Sequence, residues 1–141
     1  MAIGDFGCGE GKLQKRIEEA WGWKSDKEAN WGRVWSFDAG RMQGKEYEHV
    51  IQCDISKVPL AALTLDIAVF CLSLMGTNFP QFLLEANRVL KMGGKLFVAE
   101  VLSRFENVHE FAEKYMSMAG FKCLKINRLK DFFYIMVFKK I

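Results

Sequence analysis

Three alternating glycines near the start of the chain, in the segment DFGCGEGKL, restrict the fold more than any other feature of the sequence. Gly7, Gly9 and Gly11 follow an apolar stretch at 2–6 that is typical of a short strand, and the residues at 11–21 repeat apolar side chains at helical spacing. Glycines at a strand-to-helix turn let the backbone approach a ligand closely, and the start of the helix offers free N–H groups. The segment therefore predicts a βα unit with a ligand at its turn.

Strand and helix signals alternate along the rest of the chain. Strands are predicted at 33–38, 49–54, 65–74 and 95–102, helices at 79–90 and 107–119, and a closing pair of strands at 121–129 and 132–140. Such alternation predicts an α/β, Rossmann-like fold, with about seven strands in a mostly parallel sheet and helices on both faces. We expect one domain over 1–141. No helix separates the last two strands, so the last strand is expected to run antiparallel.

Composition narrows the classes of function. Half of the residues are hydrophobic and the formal net charge is +3, which suits a packed domain and permits an anionic partner. The four cysteines are scattered without a CxxC pair and only two histidines are present, so no metal site is expected. We expect reduced thiols and an intracellular protein. No apolar run approaches the ~18 residues of a membrane span, so no membrane association is expected.

The glycine pattern separates three ligand classes. A phosphate-binding P-loop requires Ser or Thr after its lysine, but Leu13 follows Lys12, which excludes it. A dinucleotide fingerprint would place a third glycine at Lys12, although Gly7 and Gly9 fit its first two positions, and a dinucleotide-dependent oxidoreductase remains an alternative. The pattern D-x-G-x-G-x-G, beginning at Asp5, resembles motif I of class I S-adenosylmethionine-dependent methyltransferases.

Two further acids stand at predicted strand ends. Asp38 ends the second strand, where a carboxylate can accept both hydroxyls of a ribose. Asp54 ends the third strand, where it can accept a hydrogen bond from an adenine amino group while Ile55 packs on the ring. Each acid taken alone could equally form a local Asx turn or cap. Asp5, Asp38 and Asp54 are expected around one pocket at the carboxyl edge of the sheet.

Longer motifs make the resemblance specific. The block from Ala68 to Val108, with CLSLMGTN and EANRVLK-GG-L-VAEV-SRF, together with DFGCG and CDIS-VPL, is similar to the nucleolar ribosomal RNA-processing protein 8 family. The resemblance implies a Rossmann-like class I methyltransferase that uses S-adenosylmethionine to methylate N1 of an adenine in large-subunit ribosomal RNA, in the nucleus and nucleolus. It also implies which residues bind the cofactor: Gly7, Asp38, Asp54, Ile55 and Cys71, the last mainly through its backbone. Gly9 is added to them on turn geometry.

The chain departs from the family pattern in three places. Met92 replaces a proline, and the stretch between Trp21 and Val34 is longer than expected. The family also has a helical segment before the first strand, which carries a cofactor-binding histidine; we expect this chain to be truncated there and to lack it. The surface left uncovered is expected to permit a homo-oligomer. A non-catalytic module that binds S-adenosylmethionine is the alternative function.

Substrate contacts are predicted less fully. Asn78 ends the MGTN segment, where it could contact the base or simply cap the following helix. No catalytic residue is predicted, because the N1 lone pair of adenine needs no strong base. The tryptophan-rich insertion could stack RNA bases, although Trp21 and Trp35 are expected in the core.

Overall fold

A computed structural model describes residues 1–22, 33–40, 43–74 and 78–141. Its strands are β1 (Ala2–Phe6), β2 (Arg33–Asp38), β3 (Val50–Gln52), β4 (Leu65–Cys71), β5 (Leu90–Val101), β6 (Phe121–Leu129) and β7 (Phe133–Lys140). The helices are α1 (Lys12–Trp21), α2 (Phe79–Val89) and a continuous helical stretch over 108–118, which we call α3. No helix within the described ranges is long and apolar enough to cross a membrane.

The seven strands form one sheet in the order β3-β2-β1-β4-β5-β7-β6. The pairs among β1 to β5 are parallel, whereas β7 runs antiparallel to both β5 and β6. This confirms the predicted mostly parallel sheet with an antiparallel last strand. Because parallel strands end at the same edge, the residues that follow β1, β2, β3 and β4 lie close together there.

The core lies mainly between the sheet and helices α2 and α3. Phe6, Phe37 and Phe70 come from three neighbouring strands and are fully buried, with ring centroids 5.1–5.4 Å apart along the row. On α2 the apolar side chains at helical spacing, among them Leu83 and Ala86, are buried against this layer. The α1 helix is fixed to β2 by the buried hydrogen bond that the Ser36 hydroxyl donates to Gln14.

Several predicted boundaries differ from the structure. Strand β5 begins at Leu90 rather than at 95, because Leu90 pairs with Leu65 before the chain bulges out through Gly93, which has a φ of 78°, and pairs again from Lys95. The helix predicted at 107–119 is interrupted by a π-helical turn, Phe111–Tyr115.

The prediction for the tryptophans is half right. Trp35 is half-buried against the core and its ring lies 4.5 Å below the Arg33 guanidinium. Trp21 was expected in the core, but it ends α1 and is 56% exposed, so that expectation is wrong. Trp23 and Trp31 lie outside the described residues.

Candidate functional site: a cleft at the carboxyl edge of the sheet

The glycine turn is fastened directly to the end of β2. The backbone N–H groups of Gly7 and Cys8 both donate to the Phe37 carbonyl, at 2.8 and 2.9 Å. Gly7 has a φ of 74°, and a Cβ built on it would lie 2.5 Å from the Cβ of Ser73. Position 7 therefore requires glycine both for its backbone conformation and for the close approach of the β4 end.

Asp38 ties the same turn together through its carboxylate. One oxygen accepts the Gly9 N–H at 2.7 Å and the other accepts the Gly40 N–H at 2.7 Å. Each carboxylate oxygen has a second lone-pair site, so Asp38 can still accept the two hydroxyls of a ribose. The predicted ribose acid is thus also a structural support of the glycine turn.

Asp54 stands at the start of the loop after β3. Its Oδ1 accepts both the backbone N–H of Ser56 at 2.9 Å and the Ser56 hydroxyl at 2.7 Å, and these bonds hold the carboxyl pKa below its usual value. This is the Asx turn that was the local alternative for Asp54, and Oδ2 accepts no bond within the described ranges. Ile55 is buried behind it, 7% exposed.

The loop that carries Asp54 and Ile55 is anchored on α2. The Val58 N–H donates to the Glu85 carboxylate at 2.6 Å, and the Arg88 guanidinium donates two further hydrogen bonds to the same carboxylate, at 2.6 and 2.8 Å. These contacts fix the distance between β3 and α2, which form opposite sides of the cleft described below.

Negative charge is concentrated beneath the glycine turn. Asp5 is 4% exposed, and burial together with the nearby Asp38 carboxylate raises its pKa from 3.8 to about 6. The same burial, with both carboxylates nearby, raises the pKa of the Cys8 thiol to about 12. A cation bound here would relieve the repulsion, whereas the thiol is a poor nucleophile at neutral pH.

The end of β4 forms the adjoining wall. Cys71 is exposed at the strand end, and the chain then turns at Leu72, which has a φ of 57° and donates its N–H to the Ala99 carbonyl. The Ser73 hydroxyl donates to the Phe6 carbonyl at 2.7 Å. Asn78 is the N-cap residue of α2, as the cap interpretation predicted, and its carbonyl accepts the Gln81 N–H at 3.1 Å, but its side chain makes no capping hydrogen bond within the described residues. Residues 75–77 of the MGTN segment lie outside the described ranges.

These segments surround one cleft of about 770 Å³, which we call the strand-end cleft. Five of the residues predicted from the sequence line it: Gly7, Asp38, Asp54, Ile55 and Asn78. Gly9 and Cys71 stand beside it, the first bonded to Asp38 and the second one residue before Leu72. The roles of all seven in binding a ligand remain predictions.

Sequence reasoning missed part of the lining. Leu72, Ser73 and Phe82 also face the strand-end cleft. The continuous apolar run at 65–74 predicts one strand, whereas β4 ends at Cys71 and the residues after it leave the sheet. The helical spacing of Phe82 predicts a core residue on α2. Phe82 is buried, at 9% exposure, and also lines the cleft.

The residues fit S-adenosylmethionine, which is a cation with a ribose and an adenine. Asp38 and Asp54 offer carboxylate acceptors in the cleft, and Ile55 offers an apolar side chain next to Asp54. Asp5 lies buried beneath the glycine turn and is not among the residues that line the cleft, but it adds negative charge close to it. Among the described residues no cluster of His, Cys, Asp and Glu is arranged to hold a metal ion.

The fold and the cleft define the class, a class I S-adenosylmethionine-dependent methyltransferase fold. A methyltransferase of this kind from Aquifex aeolicus superposes with a TM-score of 0.75 over 100% of this chain and 82% of its own, at 15% identity, which shows the fold alone. The chain belongs to the family described as "Hypothetical methyltransferase", whose model matches residues 1–141.

Two curated relatives are similar over almost the whole chain. "Ribosomal RNA-processing protein 8" of Drosophila melanogaster is 42% identical over 138 residues, which cover 98% of this chain and 34% of that protein. "25S rRNA (adenine(645)-N(1))-methyltransferase" of Schizosaccharomyces pombe is 42% identical over 142 residues, which cover 100% of this chain and 41% of that protein. The chain thus spans 34% and 41% of the length of these two relatives.

Proposed function

We propose that residues 1–141 form a methyltransferase domain that uses S-adenosylmethionine to methylate N1 of an adenine in large-subunit ribosomal RNA. The observation that carries the proposal is the strand-end cleft, in which Asp38, Asp54 and the glycine turn meet. The 42% identity to the fission yeast enzyme named for this reaction supports the choice of acceptor. Ribosomal RNA is then the partner, and the nucleus and nucleolus are the place of action.

Each part of the cofactor has a matching group in the chain. Asp38 would accept the ribose hydroxyls, Asp54 would accept the adenine amino group through Oδ2, and Ile55 would pack on the ring. The backbone at Gly7 and Gly9 would permit the close approach of the amino-acid part of the cofactor. The backbone of Cys71, the last residue of β4, would contact the cofactor from the adjoining strand. When bound, the cofactor supplies an electrophilic methyl group.

The chain's own contribution to the reaction would be chiefly positional. The N1 lone pair of adenine is free at neutral pH, so no side chain has to remove a proton from it. What is required is that the base be held in line with the methyl group and shielded from water, and a 1 Å displacement can cost about 100-fold in rate. N1 lies on the pairing edge, so the adenine must be unpaired or flipped out.

Binding and methyl transfer test separate parts of the proposal. We expect calorimetry to show binding of S-adenosylmethionine and S-adenosylhomocysteine but not of NAD, and radiolabelled methyl groups to pass to unmethylated large-subunit ribosomal RNA. Because the curated relatives are much longer, the assay should use residues 1–141 and the longest natural chain that contains them. Cofactor binding without transfer by either chain would indicate a non-catalytic module, and binding of NAD alone an oxidoreductase.

A further inference from the structure

Three lysines stand side by side across the last three strands of the sheet. Lys95 of β5 pairs with Lys139 of β7, and Lys139 pairs in turn with Lys122 of β6. Residues directly opposite each other in antiparallel strands share a face, with Cα atoms about 4.5–5.5 Å apart. All three side chains are exposed, on one face at the amino edge of the sheet, the edge opposite the strand-end cleft. We call them the lysine row.

A bulge in β6 brings a fourth lysine to the same face. The pairing shifts between Cys123 and Lys125, so that Lys125 pairs with Val137, which shares a face with Lys139 two residues further on. In a regular strand, residues 122 and 125 are three apart and would project to opposite faces. Bulges commonly re-aim a side chain in this way, and they are found especially at sheet edges and next to active sites.

The charge on this face has no counterpart in the described part of the chain. No ion pair there joins any of the four lysines to a carboxylate, whereas Lys91, on the same strand as Lys95, pairs with Asp66 at 3.4 Å. Like charges directly opposite each other in a sheet are destabilising. The lysine row therefore lowers the stability of the free chain unless an anion lies against it.

Protection of the sheet edge explains only part of the arrangement. Lysines on an edge strand discourage pairing with other chains, and this covers Lys122 and Lys125, because β6 is an edge strand. Lys95 and Lys139 lie on β5 and β7, each of which has a neighbour on both sides, so they need no such protection. A row of ammonium groups suits a chain of phosphates instead, because lysine binds phosphate as a point charge.

We propose that the lysine row, together with Lys125, binds the phosphate backbone of the substrate RNA at a place remote from the strand-end cleft. This inference rests on the proposed function and adds a second RNA contact to it. Lys95 stands six residues before Val101, the end of β5, so the row lies about 20 Å from the carboxyl edge. RNA bridges that distance with about six nucleotides at about 3.4 Å each in a helical strand. Phosphate contacts of this kind position the RNA without reading its sequence.

The salt dependence of RNA binding tests the lysine row. The probe is polyuridylate, which carries phosphates but no adenine, and the protein is the longest natural chain that contains residues 1–141. Each phosphate contact on a single strand contributes about 0.7 to the slope of log affinity against log salt. The row variant, with Lys95→Gln, Lys122→Gln and Lys139→Gln, should therefore lower the slope by about 2 and the affinity at low salt at least about tenfold.

A control variant removes the same charge from three other exposed lysines, on α1, before β3 and on α3: Lys15→Gln, Lys45→Gln and Lys114→Gln. It should change the slope by less than about 1. If the row variant and the control variant give the same slope, the inference is overturned; this is also the result expected if the row serves an acidic protein segment. Thermal unfolding at low salt checks the fold, and the row variant should unfold at or above the wild-type temperature, since it has lost the repulsion.

Methyl transfer separates this inference from the proposed function. For a fragment of large-subunit ribosomal RNA that extends well beyond the acceptor adenine, the row variant should raise KM at least about tenfold and leave kcat unchanged, because the row is remote from the cofactor. A lower kcat with an unchanged KM would overturn the inference. If the wild type shows the lysine-dependent slope but methylates no RNA, the proposed function fails while the RNA contact stands.

Discussion

Asp5 is the residue at which burial and charge act most clearly on stability. Its pKa of about 6 in the folded chain exceeds the ordinary 3.8, so the folded state holds the proton more tightly than the unfolded state does. The stability that this provides is complete below about pH 4 and is lost as the pH rises through about 6. At pH 7 the loss amounts to about 3 kcal/mol.

We therefore expect Asp5→Asn to raise the free energy of unfolding at pH 7 by up to about 3 kcal/mol, and to change it little at pH 3.5. Denaturant unfolding at both pH values measures the difference. Asp66→Asn is the opposite control, because the Ala2 N–H at 2.7 Å and Lys91 lower the pKa of Asp66. That variant should lose stability at pH 7, and an equal response of the two variants would contradict the assignment.

Asp38 is predicted to serve both the cofactor and the fold. Asp38→Ala should weaken binding of S-adenosylmethionine at least about tenfold, since hydrogen bonds to a charged group contribute about 1.5–3 kcal/mol. It should also lower the free energy of unfolding by about 1 kcal/mol, because the N–H groups of Gly9 and Gly40 lose their acceptor. Calorimetry and denaturant unfolding measure the two effects, and unchanged affinity would show that Asp38 does not hold the ribose.

The positions of site residues could be predicted from the sequence where they depend only on the end of a parallel strand. Gly7, Asp38 and Asp54 meet in one cleft because they end or follow strands whose carboxyl ends share an edge. Glu100, near the end of β5, could not be singled out: its buried Oε2 has no hydrogen-bond partner among the described residues, and this depends on how β5 packs against β7. Trp21 was misplaced because hydrophobicity alone does not say that a helix ends at the surface.

At the scale of elements, the glycine turn offers a matched comparison. Gly7 and Gly9 have similar φ values, 74° and 58°, but a Cβ at Gly7 would collide with Ser73, whereas a Cβ at Gly9 meets nothing within 4 Å. Gly9→Ala should therefore lower the free energy of unfolding only by the strain of a left-handed alanine, about 1–2 kcal/mol. Gly7→Ala should lower it clearly more. Thermal unfolding of both variants tests this, and equal losses would contradict the close packing at Ser73.

The bounds of strands and helices were predictable to within a few residues where a nearby residue type, such as glycine or proline, ends or starts the element. Strands β1, β2 and β6 have the predicted bounds, and Pro80 correctly indicated the start of α2. The π-helical turn was not predictable, because a repeat of apolar residues does not distinguish an α-helical turn from a π-helical turn, whose hydrogen bonds span one residue more. The early start of β5 depends on pairing with Leu65, which is a contact between distant parts of the chain.

At the scale of the whole molecule, one face of the sheet carries a row of apolar side chains that are only partly buried. On β4, β5 and β7 they alternate with the buried ones: Ile67, Val69, Phe97, Ala99, Ile135 and Val137. Contiguous apolar surface of this kind promotes association. We expect a second copy to cover it, so that the weight-average mass from sedimentation equilibrium rises with concentration.

The double variant Val69→Lys, Val137→Lys should remain monomeric in the same experiment, because it places charges in the centre of this face. Glu19→Lys, on the exposed side of α1, is the control and should still associate. A wild-type chain whose mass does not change with concentration would contradict the expectation.

The strand order has a consequence for how the chain is completed during its synthesis. Strand β7, which ends at Lys140, lies between β5 and β6 and forms hydrogen bonds to both. Until it leaves the ribosomal exit tunnel, β5 presents an unpaired edge, and β6 has no neighbour in the sheet. Such an edge is a template for pairing with other chains. A nascent chain arrested before residue 133 is thus the form most exposed to aggregation, and the one for which binding of a chaperone matters most.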